Sequence, residues 1–214
     1  MKYKAVIFDL DGVVVTTDNF HYLAWKKLAD EIGVYFDREI NNRLRGVSRM
    51  ESLNIILENS DKVYTDSEKQ ELSSKKNDYY IKMIENMDES SIIDGAVNFI
   101  NYVRSMGIKT AIGSSSKNAQ RILRKTKITE LFDAVADGND IINSKPAPDV
   151  FIAAMKKLNL NPCECLVAED AKAGVEAGIR AGMDVMAVGD AKNSEKAIYC
   201  FPSLKEAYDF LCIK

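Results

Sequence analysis

Six side chains in this sequence have the types and spacing to act on a phosphate ester. Asp9 and Asp11 stand in AVIFDLDG, Ser114 ends IKTAIGS, Lys145 lies in SKPAPD, and Glu169 and Asp170 end CLVAED. Four carboxylates cannot share a small site without a cation, because each ionised neighbour makes the next harder to ionise. Their oxygens suit a hard divalent ion, and Mg²⁺ typically takes one or two carboxylates with waters and substrate phosphate. Asp9 would then attack phosphorus, while Lys145 and the Ser114 hydroxyl neutralise the equatorial oxygens of the transferring group. Asp11, two residues on, would pass a proton to or from the attacking or leaving oxygen. Gly12 lets the backbone turn closely round the phosphate. Taken singly, each group has an ordinary reading as a turn, a helix cap or a solvated loop residue. Their recurrence at successive strand ends makes the chemical reading the expected one.

Those ends must be positioned by strands. Short apolar runs at 5–8, 108–114, 132–137, 165–170 and 184–189 read as buried strands of a parallel sheet covered on both faces. Helical segments lie between them: DGAVNFINYVRSMG ending at Gly107, SKNAQRILRKT beginning at Ser116, and DAKAGVEAGIRAG running from Asp170 to Gly182. SLKE at 203–206 is a capping box opening a last helix. This alternation predicts an α/β fold, a doubly wound, Rossmann-like parallel sheet, with ligands at the carboxyl ends of its strands.

Residues 17–92 hold helical patterns and no convincing strand. NFHYLAWKKLADEIG is followed by SRMESLNIILEN and TDSEKQELSSKKNDYYIKMIENM, the last two opening with capping boxes. The expected organisation is a catalytic core of 1–16 and 93–214, with 17–92 inserted as a helical cap. Junctions near Val15–Thr17 and Ile92–Gly95 would form a hinge.

The 214 residues are 46% hydrophobic, enough for a sizeable core, and carry a net charge of −3. That balance gives no general attraction to nucleic acid or an anionic membrane. No apolar run approaches the roughly 18 residues that span a bilayer, and the acids of FDLDG interrupt any signal-peptide pattern. The expectation is a soluble, cytoplasmic monomer. Cys163, Cys165, Cys200 and Cys212 lack zinc-like spacing and are expected to be reduced.

FDLDGVV, SSS at 114–116, SKPAPD and VAEDAKAG resemble, in order, the four motifs of the haloacid dehalogenase superfamily of phosphotransferases. The resemblance covers nearly the whole chain, and the insert after the first motif corresponds to that family's cap. Dehalogenation is disfavoured, because the dehalogenase branch lacks the aspartate that Asp11 provides. HYLAWKKLADEIG, NNRLRGVSRMESL, KKNDYY, SSSKNA and SKPAPDVFIAA are similar to the β-phosphoglucomutase branch. That likeness implies interconversion of β-D-glucose 1-phosphate and β-D-glucose 6-phosphate through β-glucose 1,6-bisphosphate. It implies a phosphoaspartate at Asp9, Asp11 as general acid and base, and phosphate held by Ser114 and Lys145. It further implies Mg²⁺ held by Asp9, the Asp11 carbonyl, Glu169 and Asp170.

A mutase must also hold the phosphate that is not being transferred. In RGVSR, with Gly46 and Val47 ahead of Ser48, Arg49 follows a predicted N-cap and offers a bidentate grip. Ser116, Lys117 and Asn118 would present free N–H groups at a helix N-terminus in the core. His21, the only histidine, would by itself be a partly buried helix residue; the family places a histidine there beside Asp11 and the hinge, where Thr17 also keeps the family threonine. Trp25 shares the helical face of His21, and is core packing by default but cap surface near the sugar by resemblance. Lys76 resembles a lysine that reaches the sugar, although a lysine in SSKKND is ordinarily solvated. Thr16 and Arg45 depart from the family's usual acidic residue and lysine.

Two other readings stand beside the mutase. A phosphatase acting on a sugar phosphate or another small ester would use the same core. A receiver-like signalling module also gathers acids, a hydroxyl and a lysine round Mg²⁺, but is shorter and has no insert after the first strand.

Overall fold

The computed structural model describes residues 2–44 and 47–212. Six parallel strands form one sheet in the order β3-β2-β1-β4-β5-β6. They are β1 (Ala5–Phe8), β2 (Lys109–Gly113), β3 (Ala134–Ala136), β4 (Cys165–Glu169), β5 (Asp184–Ala187) and β6 (Tyr199–Cys200). β1 lies centrally, pairing Ile7 with Ala111 of β2 and with Val167 of β4. The strand order reverses between β1 and the β4 side, the position at which open α/β sheets bind ligands.

The period of two along β1 divides the core. Val6 and Phe8 pack on one face against α5 (Ala96–Ser105), α6 (Ala119–Lys125) and α9 (Leu204–Cys212). Ala5 and Ile7 pack on the other against α7 (Asp149–Lys157) and α8 (Lys172–Arg180). The doubly wound sheet expected from the apolar runs is therefore present. β6 escaped that reading because two exposed residues at a sheet edge carry no apolar periodicity. Cys163, Cys165 and Cys200 are free thiols.

Between β1 and α5 lie α1 (Asp18–Glu31), α2 (Arg38–Asn42), α3 (Arg49–Leu57) and α4 (Asp66–Ile84). Thr65 and Glu68 complete the predicted capping box of α4, and Ser48 accepts the Glu51 N–H at 3.1 Å at the start of α3. Trp25, Leu28, Phe36, Leu53 and Ile56 form a separate apolar cluster in this helical part. Its two connections to the sheet run side by side: Val15 bridges Ile92, and Ile93 N–H donates to Val14 O at 3.0 Å.

Two helix starts differ from expectation. α6 begins at Ala119 rather than Ser116, because Ser116 Oγ accepts the Asn118 N–H at 3.2 Å and makes a serine turn that displaces the first helical turn. α8 begins at Lys172 rather than Asp170. There the Glu169 carboxylate takes the Asp170 and Ala171 N–H groups at 3.1 and 3.0 Å, holding that backbone outside the helix.

Candidate active site

Parallel pairing brings the carboxyl ends of β1, β2 and β4 to one edge, so residues far apart in sequence meet there. Asp9 follows β1, Ser114 follows β2, and Glu169 ends β4. Each of the three is under 10% exposed. Lys145 joins them from the loop after β3, its ammonium donating to Asp9 Oδ1 and, at 2.7 Å, to Glu169 Oε2. Only 3% of Lys145 is exposed, so the solvated loop lysine of the ordinary reading is not what forms.

Asp9, Glu169 and Asp170 can each offer an oxygen within 4.8 Å of the others. Like charges at about 4 Å repel by roughly 4 kcal/mol at an effective dielectric of 20, and one lysine does not offset three. Burial accordingly pushes the Asp9 carboxyl up to about 7 despite Lys145, with Glu169 and Asp11 adding to the rise. Burial, then Glu169 and Asp9, push Asp170 up to about 9. Burial pulls Lys145 down, but Asp9 and Glu169 outweigh it and hold the ammonium above its ordinary range. The cluster carries a deficit of positive charge on hard oxygen ligands, which fits Mg²⁺. Two glycines make room for it. A side chain at Gly12, whose φ is +87°, would clash with the Asp170 carboxylate, and one at Gly174 with Glu169.

The deficit has a measurable consequence. The unfolded chain releases these two protons near pH 4, whereas the folded, metal-free protein keeps them to about 7 and 9. Its stability should therefore fall as pH rises from about 4 toward 9. Mg²⁺ binds the ionised carboxylates, so it should raise the melting temperature more at pH 8 than at pH 5.5. At a hundredfold excess over Kd the rise is about 2.7 kcal/mol, or roughly 5–10 °C. Equal shifts at the two pH values would place the ion elsewhere.

Asp11 lies two residues beyond Asp9, and the Thr17 hydroxyl donates to its Oδ1. Burial raises its carboxyl above the usual range, partly offset by that hydrogen bond. Facing it from the helical part, His21 Nδ1 and Lys76 Nζ are 2.9 Å apart. Burial holds both well below their ordinary values, and Arg49 adds to the effect on each. Which of the two donates is set by the imidazole tautomer. Lys76 is 2% exposed and sits 4.6 Å from the Trp25 ring centroid, so it is buried where SSKKND suggested solvation. Trp25 packs in the helical cluster and also lines the cleft.

Every site residue singled out in the sequence lines one cleft of about 750 Å³, apart from Gly46. Gly46 and the substituted Arg45 lie outside the described residues. Val47 and Arg49 line it at the start of α3, and Ser116, Lys117 and Asn118 line it just before α6. Burial lowers the Arg49 guanidinium, a cost that a bound anion would relieve. The amides of Ser116–Asn118 are less free than expected, since Ser114 and Ser116 hydroxyls accept the Ser116 and Asn118 N–H groups.

The sequence reading missed Ser52, Asn77 and Tyr80, which also line the cleft. Helical spacing carried a signal for two of them: Ser52 is three residues from Arg49, and Tyr80 four from Lys76. The Tyr80 ring lies 4.1 Å from that of His21, and its buried hydroxyl has no hydrogen-bond partner among the described residues.

Residues 3–182 match the family model for haloacid dehalogenase-like hydrolases. The chain belongs to this family. Within it, the chain is 41% identical over 191 residues to the β-phosphoglucomutase of Bacillus subtilis, covering 88% of this chain and 84% of that protein. A crystal structure of β-phosphoglucomutase from Clostridium difficile superposes with a TM-score of 0.89 at 37% identity, over 99% of this chain and 100% of that one. The chain is also 28% identical to a phosphorylated carbohydrates phosphatase of Thermotoga maritima, over 91% of this chain and 89% of that protein. No helix among the described residues is long and apolar enough to cross a membrane.

Proposed function

We propose that the protein is a β-phosphoglucomutase, interconverting β-D-glucose 1-phosphate and β-D-glucose 6-phosphate through β-glucose 1,6-bisphosphate. The observation that supports the reading is one cleft lined, besides the Asp9 group, by a second set of side chains suited to phosphate. Ser114 and Lys145 stand beside Asp9, while Arg49 and the Ser116–Asn118 turn line other parts of the same cleft. Hydrolysis of a monophosphate needs only the first.

In this reading residues 1–16 and 93–214 are the catalytic core and 17–92 a cap. Asp9 becomes the phosphoaspartate. Asp11 takes the proton from the sugar hydroxyl that attacks it, forming the new phosphorus–oxygen bond as the bond to Asp9 breaks. The bisphosphate then turns end for end. Asp9 attacks the other phosphorus, and Asp11 returns the proton to the departing sugar oxygen. Ser114 and Lys145 hold the transferring group. Arg49, Lys117 and Asn118 hold the other phosphate, and Trp25, Val47 and Lys76 contact the sugar. Asp9, the Asp11 carbonyl, Glu169 and Asp170 would hold Mg²⁺. The ion would supply charge neutralisation at the phosphoryl oxygens. A phosphate gripped from both parts would favour closure, and closure keeps water from the phosphoaspartate.

The test follows glucose 6-phosphate and inorganic phosphate together, from β-glucose 1-phosphate with Mg²⁺ and a trace of the bisphosphate. Sugar product without matching phosphate release establishes the mutase. Phosphate release alone makes the protein a phosphatase, the activity named for the Thermotoga relative.

A further inference from the structure

Asn118 occupies the N-cap of α6, where an asparagine ordinarily turns its side-chain oxygen onto the helix's own N–H groups. Here the side chain makes no capping hydrogen bond. Its Nδ2 instead donates to Asn77 Oδ1 at 3.0 Å, joining residues 41 apart in sequence. The two carboxamides meet in the cleft wall, between the turn at 116–118 and the middle of α4.

Asn77 directly follows Lys76, which α4 holds against His21. The C-terminal end of the same helix is tied to α6 by Glu85, which pairs with Arg121 at 2.8 Å and Lys125 at 2.7 Å. These two pairs are half-exposed and surface-screened, each worth little. The Asn77–Asn118 bond lies in the cleft beside the turn proposed to hold phosphate. It sets which way the Asn118 carboxamide points.

We propose that Asn77 is a positioning residue for the bound sugar bisphosphate. By accepting from Asn118 it orients that side chain toward the phosphate not being transferred, and links that site to the helix carrying Lys76. The ligand's identity rests on the mutase reading; the coupling between the two asparagines does not.

The test is a double-mutant cycle of Asn77→Ala and Asn118→Ala in an Asp9→Asn background, which cannot turn the ligand over. Affinity of the Mg²⁺-loaded protein for β-glucose 1,6-bisphosphate is measured by calorimetry. Alanine suits the interior of α4, so the melting temperature should not fall on replacing Asn77. Asn77→Ala should weaken binding roughly threefold to tenfold, the worth of one neutral hydrogen bond. The double variant should bind no more weakly than Asn118→Ala alone. Unchanged affinity in Asn77→Ala, or single effects that multiply in the double variant, overturns the inference. Should the bisphosphate not bind the parent, the cycle is run with inorganic phosphate on the same criteria. Whether the wild type is a mutase is decided separately, by the product assay above.

Discussion

Asparagine in place of Asp9 should lower phosphoryl transfer by about 10⁴-fold or more. The carboxamide keeps the shape of the side chain and can still accept from Lys145, which bonds Asp9 Oδ1 in the native site. It cannot donate an electron pair to phosphorus as a carboxylate does. The substitution also removes a buried negative charge from a cluster short of positive charge, where the native carboxyl is pushed up to about 7. The metal-free variant should therefore melt at least as high as the wild type at pH 8. Lost activity with retained stability separates the nucleophile from a structural role. Formation of glucose 6-phosphate at more than about 1% of the native rate would place the nucleophile elsewhere.

The Asp11→Asn substitution should lower kcat by about 10²- to 10⁴-fold, the usual worth of a positioned general acid and base. Asparagine can still accept from the Thr17 hydroxyl, so the loop after β1 should keep its path. Burial raises the native Asp11 carboxyl, which favours holding a proton for a departing alkoxide, and the amide has none to give. A substrate whose leaving group needs no proton separates the roles. Phosphorylation of the variant by p-nitrophenyl phosphate should be slowed less than tenfold, because p-nitrophenolate departs unprotonated. An equal loss with both substrates would mean that Asp11 shapes the site and moves no proton.

Much of this site could be read before the fold. Asp9, Ser114 and Glu169 close apolar runs, and in a parallel sheet such runs end on one edge. Lys145 was identified in sequence, but its burial between Asp9 and Glu169 depends on contacts across 136 and 24 residues. Lys76 shows the limit more sharply. Its neighbours in sequence are those of a solvated helix face, yet it is 2% exposed, because α4 packs beside α1 and meets His21. Tyr80 lies on the same stripe and was missed for the same reason.

By itself the sequence determined the elements and the reactive set. Apolar runs of strand length, the caps at Ser48 and Thr65, and acids at strand ends are local features, governed by backbone hydrogen bonding and burial within a few residues. The serine turn that starts α6 at Ala119 is local as well, a hydroxyl taking an amide two residues on. Tertiary structure alone decided two things. It buried Lys76 against His21, and it paired Asn77 with Asn118 across 41 residues. The physical reason is the same for both. A helix shows in its own sequence which residues share a face, whereas what that face meets depends on how separate elements cross.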